Sequence, residues 1–366
     1  MIPLLTRIEQ QLAQCADPDR RAELLAERAS YLARTGHFAE ANEILATLRR
    51  SYGDGRNARV SVWIMFVEGL VLYFADYDPV ARDRILRANL ISCAVQFDEM
   101  KSLTEVWLAH IDFNKSDFES ALLYLERWQR SKVGAECPSG LRFSLLFADA
   151  LMHCGEIKQS KLWYEKTRLQ AVRLGDEATL AAMIYNKAAM GLGRLRIDSA
   201  RGAVDPELIR FVSMEIASAR NFHFGAGHKA LPQIIEACVA RVLLLQDRCV
   251  EALPLFSRLL EDESMRLGFV SDRTLLRTEY AQCLVRVGES RLAQELLDGL
   301  RVVEYTKMTL DDQFVFLHSY CALLKSLNLS PLVSEYEMRA LECQAKMDAE
   351  MAIFRRGLLE ILNVCV

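Results

Sequence analysis

Glycine and proline are scarce in this chain, at 17 and 8 residues of 366, about 7% together against ~12% in average usage. So few turn formers over such a length leave long helices joined by short connections. A basic surplus is also missing. The formal net charge is −4 and the isoelectric point lies near 6.0, whereas a nucleic-acid surface ordinarily carries a basic patch or stripe. Direct binding of DNA or RNA is therefore not expected. No apolar run is long enough to span a bilayer. The longest, VSVWIMFVEGLVLYFA from Val60 to Ala75, carries Glu68 near its middle and falls short of the ~20 residues a crossing requires. A mean hydropathy of +0.06 is high for a soluble chain without membrane spans, but this run reads as a buried helix and no membrane partner is expected. The start, MIPLLTRIEQQLAQ, lacks the basic opening and apolar stretch of a signal peptide, so a cytoplasmic location is expected.

The chemistry-bearing patterns are equally sparse. Ten cysteines are present, at 15, 93, 137, 154, 238, 249, 283, 321, 343 and 365, but none forms a C-x-x-C pair. They read as reduced, small apolar residues. The six histidines are scattered; His153-Cys154 and His223/His228 come nearest to a ligand grouping, without a second pair at metal spacing. No metal and no cofactor is expected. Walker-type loops, G-x-S-x-G, H-E-x-x-H and Asp-rich cation loops are missing. The carboxylates interleave with Lys and Arg instead of pairing in an apolar pocket, so no catalytic residue is assigned and the chain is not expected to be an enzyme. In NFHFGAGHKALPQ, Gly225 and Gly227 precede His228-Lys229 and a helix, a pattern that can cradle phosphate. No strand leads into it, and an interhelical turn is the better reading. Met190-Gly191-Leu192-Gly193 reads as a loosened helix end.

What the chain does contain is a repeat. A small residue is followed three positions later by a large one, then a tight turn, and a second small residue twelve positions after the first. In AELLAERASYLARTGHFAEANEILATL these are Ala29, Leu32, Gly36 and Ala41, with Phe38 after the turn. The second segment has Gly69, Leu72, Asp76, Tyr77, Ala81 and Ala88; the third has Ala109, Ser116-Asp117, Phe118 and Ala121. The fourth has Ala148, Leu151, Gly155, Ile157 and Ser160, and the sixth Ala240, Leu243, Asp247 and Ala252. The seventh has Ala281, Leu284, Gly288 and Ala293, and a more degenerate eighth has Cys321, Leu324 and Asn328. Turns at 36, 76, 116 and 155, then at 247, 288 and 328, recur every 39 to 41 residues. The wider gap from 155 to 247 fits a fifth repeat opening with ATLAAMIYNKAAMGLGRL around Ala188, an insertion RIDSARGAVDPE near 196–207, and a helix from about Pro206 to Asn221. Small residues are demanded where two antiparallel helices cross closely, with larger ones filling the space beside them. Stacked neighbours then bury a core that a single pair cannot.

On these residues, from about Ala22 to Ala345, the chain resembles the tetratricopeptide repeat (TPR) family. The small residues at Ala29/Ala41, Gly69/Ala81/Ala88, Ala109/Ala121 and Ala281/Ala293 carry the resemblance, with the post-turn aromatics Phe38, Tyr77 and Phe118. A period near 40 exceeds the common 34 and looks like the long-repeat domains of bacterial regulators, such as the maltose-operon activator type and the peptide-sensing response-regulator phosphatases. HEAT-like repeats are the rival architecture; the turn glycines and aromatics favour TPR. The implied fold is an all-α, right-handed α-solenoid of about eight TPR-like helix pairs over 1–345, closed by a capping helix over 346–366. For that last helix, Ile353, Leu358, Leu359 and Ile361 could alternatively form a docking face.

The resemblance implies that the first helix of each pair lines a concave groove. Its candidate partner-binding residues are Trp63, Phe66, Tyr73, His110, Phe113, Asn114, Arg142, Asp149, His153, Tyr185, Asn186 and Arg241. Aromatics and arginines are the types that dominate interface energetics. Each aromatic could instead be ordinary core, and Arg142, Asp149 and Arg241 ordinary surface charge. The chaperone-tail clamp of the family is not implied, because Ala26, Ser30, Phe66 and Leu70 stand where its Lys, Asn and Arg would be needed. The expected function is a scaffold or adaptor for a protein or peptide. The alternative is a ligand-responsive sensor acting on a separate effector chain, since no DNA-binding output segment is recognisable. Homo-oligomerisation through an apolar end stays open.

Overall fold

The computed structural model describes residues 2–131, 134, 136–226, 232–261, 270–300 and 305–365. These form seventeen α-helices and, among the described residues, no strand. The fold class is all-α, as the repeat and the resemblance implied. A short helix α1 (Leu4–Gln14) precedes eight consecutive pairs. They are α2 (Pro18–Arg34) with α3 (Phe38–Tyr52), α4 (Ala58–Asp76) with α5 (Val80–Ala94), α6 (Asp98–Asn114) with α7 (Phe118–Arg130), and α8 (Pro138–His153) with α9 (Ile157–Leu174). The remaining four are α10 (Glu177–Ala200) with α11 (Pro206–Ala226), α12 (Pro232–Leu245) with α13 (Cys249–Glu261), α14 (Val270–Arg286) with α15 (Ser290–Leu300), and α16 (Leu310–Ser326) with α17 (Val333–Cys365). The Gly227, His228 and Lys229 positions of the glycine-rich segment lie outside the described residues.

One stop signal ends helix after helix. At Gly36 the amide donates to the Ala33 carbonyl, and the His37 amide reaches back to Leu32 at 2.9 Å. This pair of reverse bonds satisfies carbonyls that the helix end would leave unpaired. The same pairing recurs at Ser116, Gly155, Asp247, Gly288 and Asn328, and all of them have positive φ. In the second repeat the left-handed residue is Tyr77 (φ 50) and not Asp76. Tyr77 is thus the turn itself, where the sequence placed it after the turn. Starts are also encoded locally: Asn57 and Asp117 accept from the Val60 and Ser120 amides at 3.1 Å each, and proline opens α2 and α8.

The small residues sit at the crossings. Ala29, Ala41, Ala109, Ala121, Ala148, Ser160, Ala240, Ala252, Ala281 and Ala293 are all fully buried, and the Ser160 hydroxyl donates directly to the Ala148 carbonyl at 2.8 Å. Gly69 is the tightest point, since a Cβ there would lie 2.5 Å from Ile85 Cγ1. Its helix α4 is 19 residues long, more than the 16 of the apolar run, and passes the length and apolarity test for a membrane span. Here it packs against α2, α3 and α5, with eight of its residues buried.

The chain divides into two compact units. The first comprises Met1–Met183, His223–Ala230 and Phe354–Val366. Within it, the start of the chain meets the end of the fourth pair: the Leu4 amide donates to Gly175 O at 2.8 Å, and Arg34 pairs with Asp176 at 2.9 Å. The Phe354 ring stacks on Phe118 at 4.4 Å, Gly357 sits against Leu122, and the Gln129 amide donates to Ile361 O at 2.8 Å. Leu358 and Ile361 are buried. Arg355 pairs with Glu156. The last turns of α17 therefore pack along one face of α7, in mid-array.

The second unit comprises Ile184–Phe222 and Leu231–Ile353. Its core gathers Phe314, Phe316, Tyr320 and Leu324 of α16 with Leu275, Ala281, Ala340 and Cys343. A second cluster surrounds Phe256 and Leu276, and a third joins Leu192 and Leu195 to Val212 and Ile216.

Three expectations about element boundaries change. No helix begins near 346, because α17 runs unbroken from Val333 to Cys365 and contains neither proline nor any glycine before Gly357. The insertion shrinks to five non-helical residues, 201–205, since α10 continues to Ala200 before Gly202 (φ 75) stops it. The Met190–Gly193 stretch is helical throughout; Gly191 lets α10 approach Val212, whose Cγ2 would lie 3.0 Å from a Cβ there.

Candidate partner-binding site

In the first unit, the opening helices of the second, third and fourth pairs bring four of the expected residues together. Tyr73 lies near the end of α4, His110 and Asn114 are one turn apart on α6, and Arg142 is near the start of α8. The Tyr73 hydroxyl is 3.2 Å from His110 Nε2. The Asn114 amide nitrogen lies 2.6 Å from that hydroxyl and 3.1 Å from the same ring nitrogen. Trp107, one turn before His110, forms the floor. Its ring meets Phe66, Tyr73, Phe74 and His110 edge-on, with centroids 5.5–6.4 Å apart. The Arg142 guanidinium stands 3.9 Å above the Trp107 ring, a cation–π arrangement.

The electrostatics of this cluster are unusual for a core. Burial holds the Tyr73 phenol above its ordinary value, opposed by the hydrogen bond from Asn114. Burial, and then the charge of Arg142, holds His110 well below 6.5. Phenol, imidazole and amide are thus all neutral. Beside them Arg142 is only 7% exposed, and its Nε has no hydrogen-bond acceptor. Burial works against its charge and draws its pKa down to about 10, with Tyr73 and Asp149 acting in the opposite sense. A buried guanidinium ordinarily carries a hydrogen-bonded carboxylate partner. Neighbouring charges do: Arg34 is matched by Asp176, whose ionisation burial opposes but Arg34 and Thr179 more than restore. Asp149 accepts from the Tyr164 hydroxyl at 2.7 Å.

Other expected residues go elsewhere. Phe66 is fully buried and belongs to the core. Trp63 is half-buried, 6.1 Å from Phe66, with its indole N–H unpartnered. Phe113 and His153 meet each other at 5.7 Å and lie with Phe118 and Phe354 under the end of α17, so they face this chain's own tail. Tyr185, Asn186 and Arg241 belong to the second unit. Arg241 is buried and ion-paired with Glu279 at 2.8 Å, so it is not surface charge. It lines a cleft of about 700 Å³ with Arg196, Glu279 and His318. Trp107, Arg196 and Glu279 were missed by sequence reasoning. Trp107 had a signal, since it precedes His110 by three positions and shares its face. Among the described residues, no group of three His, Cys, Asp or Glu side chains is placed to hold a metal ion. The nine cysteines before Cys365 are free thiols.

No protein-family model matches the sequence, and no curated protein does. Among solved structures, a Rap protein complexed with Competence and Sporulation Factor is similar, with a TM-score of 0.57 over 94% of this chain and 92% of that one. The two are 12% identical, so the likeness concerns the fold: both are all-α chains of the same helical-repeat kind.

Proposed function

We propose that this chain is a TPR-type, long-repeat regulatory scaffold of the bacterial cytoplasm, without catalytic activity, cofactor, or direct nucleic-acid or membrane binding. Its first unit binds a peptide or protein segment on the face formed by α4, α6 and α8. One observation carries the reading. Arg142 is a buried cation without an acid partner, set on an aromatic floor beside three neutral hydrogen-bonding groups. Such a group is costly in an empty core and favourable once an incoming carboxylate accepts its N–H groups. Half-exposed Phe74, 5.7 Å from the same Trp107 ring, supplies the kind of apolar contact that anchors binding energy at interfaces. Fold likeness to a Rap protein complexed with a named factor is in keeping with a regulatory binding role.

The test is capture from native lysate with the wild-type chain beside Arg142→Met, after circular dichroism shows both folded. A partner held by wild type and lost from the variant supports the reading; a partner held equally by both moves the interface elsewhere. The cleft in the second unit favours a second reading, in which a bound ligand alters how a separate effector is engaged.

A further inference from the structure

The cleft of the second unit is built by successive opening helices. Arg196 comes from α10, Arg241 from α12, Glu279 from α14 and His318 from α16. One carboxylate serves two guanidinium groups: Arg241 Nε lies 2.8 Å from Glu279 Oε2, and Arg196 Nε lies 3.1 Å from Oε1 without hydrogen-bond alignment. Arg196 Nη1 is a further 3.6 Å from Asp312. The Arg196, Arg241 and Glu279 side chains are 11%, 9% and 6% exposed.

Formal charge is even here, two cations against Glu279 and Asp312, and the rim pairs Arg286–Asp247 and Lys325–Glu337 are also matched. The shortage is of acceptors. Each guanidinium offers five N–H groups. Both Nε and Nη2 of Arg196 are buried without a hydrogen-bond partner, as is His318 Nε2. Buried donors left unmet cost stability, and a group rich in oxygens placed in the cleft would meet them.

We propose that this cleft binds a small organic anion, whose carboxylate or phosphate oxygens take the unmet N–H groups of Arg196 while Leu244 and Val315 pack its hydrocarbon part. A planar fork matches two oxygens of either group better than a point charge does. The volume of about 700 Å³ is in the range of small-molecule sites, ~300–1,000 Å³. The proposal deepens the ligand-responsive reading and rests on it for what binding accomplishes. Binding itself is measured with no partner protein present, so either can fail while the other stands.

The experiment uses the full chain with inorganic phosphate, succinate and uncharged succinamide, followed by thermal shift and titration calorimetry. At least one anion should raise the melting temperature and bind, and succinamide should not. Phosphate alone identifies a phosphorylated ligand, succinate alone a carboxylate, and both together the shared oxygen chemistry. Arg196→Lys keeps the charge but loses the fork and should weaken binding about tenfold or more. The exposed-site control Arg291→Gln should bind like wild type, circular dichroism checking the fold of each. No binding by either anion overturns the proposal. So does equal binding by succinamide, or an Arg196→Lys variant that is folded and binds as tightly as wild type.

Discussion

Gly69→Ala puts a single methyl into the crossing of α4 and α5, where two effects oppose. Alanine is the better helix former by about 1 kcal/mol, so an open site would gain that much. Here the new Cβ would lie 2.5 Å from Ile85 Cγ1 and 3.1 Å from the Ala81 carbonyl oxygen. The carbonyl is backbone and cannot swing away. Ile85 is fully buried, and the atom met is close to the root of its side chain. Overpacking of this kind costs about 1–3 kcal/mol, leaving a net loss of about 1 kcal/mol after the propensity gain. Urea unfolding followed by circular dichroism resolves that difference. The cause is isolated by a cycle with Ile85→Ala, which opens the space the methyl needs. Contacting residues couple by about 0.5–3 kcal/mol, so Ile85→Ala should be less damaging in the Gly69→Ala background than in wild type. A Gly69→Ala chain more stable than wild type, or strict additivity of the two changes, would refute the close crossing.

Three further outcomes are expected. Gly175→Ala forces a left-handed alanine (φ 65 at present) whose Cβ would lie 2.5 Å from Ile2 O. It should lose at least about 1 kcal/mol and speed hydrogen exchange at the Leu4 amide; unchanged protection there would contradict the docking of the N-terminal segment. Phe354→Ala removes a buried ring stacked on Phe118 and should cost about 3–5 kcal/mol, read by thermal melting. A loss under 1 kcal/mol would show that the end of α17 does not pack on α7 (roughly the surface-substitution range). His110 is held neutral when folded, by burial and then by Arg142, while the unfolded chain takes up its proton below pH ~6.5. Its contribution is therefore present above pH ~6.5 and declines as pH falls, by up to about 1.4 kcal/mol per unit. His318, lowered by burial and then by Arg201 and Lys325, adds the same sign. His110→Gln should flatten part of the slope between pH 7 and 5, and an unchanged slope would remove His110 as its source.

The repeat was legible because its chemistry is local. Small residues at crossings and left-handed turns leave marks at fixed spacing, and Gly36, Gly155 and Gly288 were each placed correctly from sequence. Boundaries without a stop signal were not: nothing before Gly357 marks an end within α17, so position 346 looked like a start only by analogy with other arrays. The candidate site was half legible. Spacing placed Tyr73, His110, Asn114 and Arg142 on facing helices, but helix phase alone could not tell Phe66, which points into the core, from its neighbours. The packing of Phe113 and His153 beside this chain's own tail was not legible for a different reason. The Phe113 ring stacks on Phe354, more than two hundred residues away in the chain, and no local pattern records such a pairing. The shared carboxylate between Arg196 and Arg241 is likewise a contact of three helices, invisible to spacing within any one of them.

The most direct test of the partner-binding account is a displayed peptide library panned against the folded chain, with dissociation constants of enriched peptides measured on wild type, Arg142→Met and Arg142→Lys. The account predicts enrichment of peptides presenting a carboxylate, with affinity falling about tenfold or more in Arg142→Met and by less in Arg142→Lys, as expected for charge-assisted hydrogen bonds. Tight peptides without a carboxylate requirement, bound equally by all three chains, would contradict it.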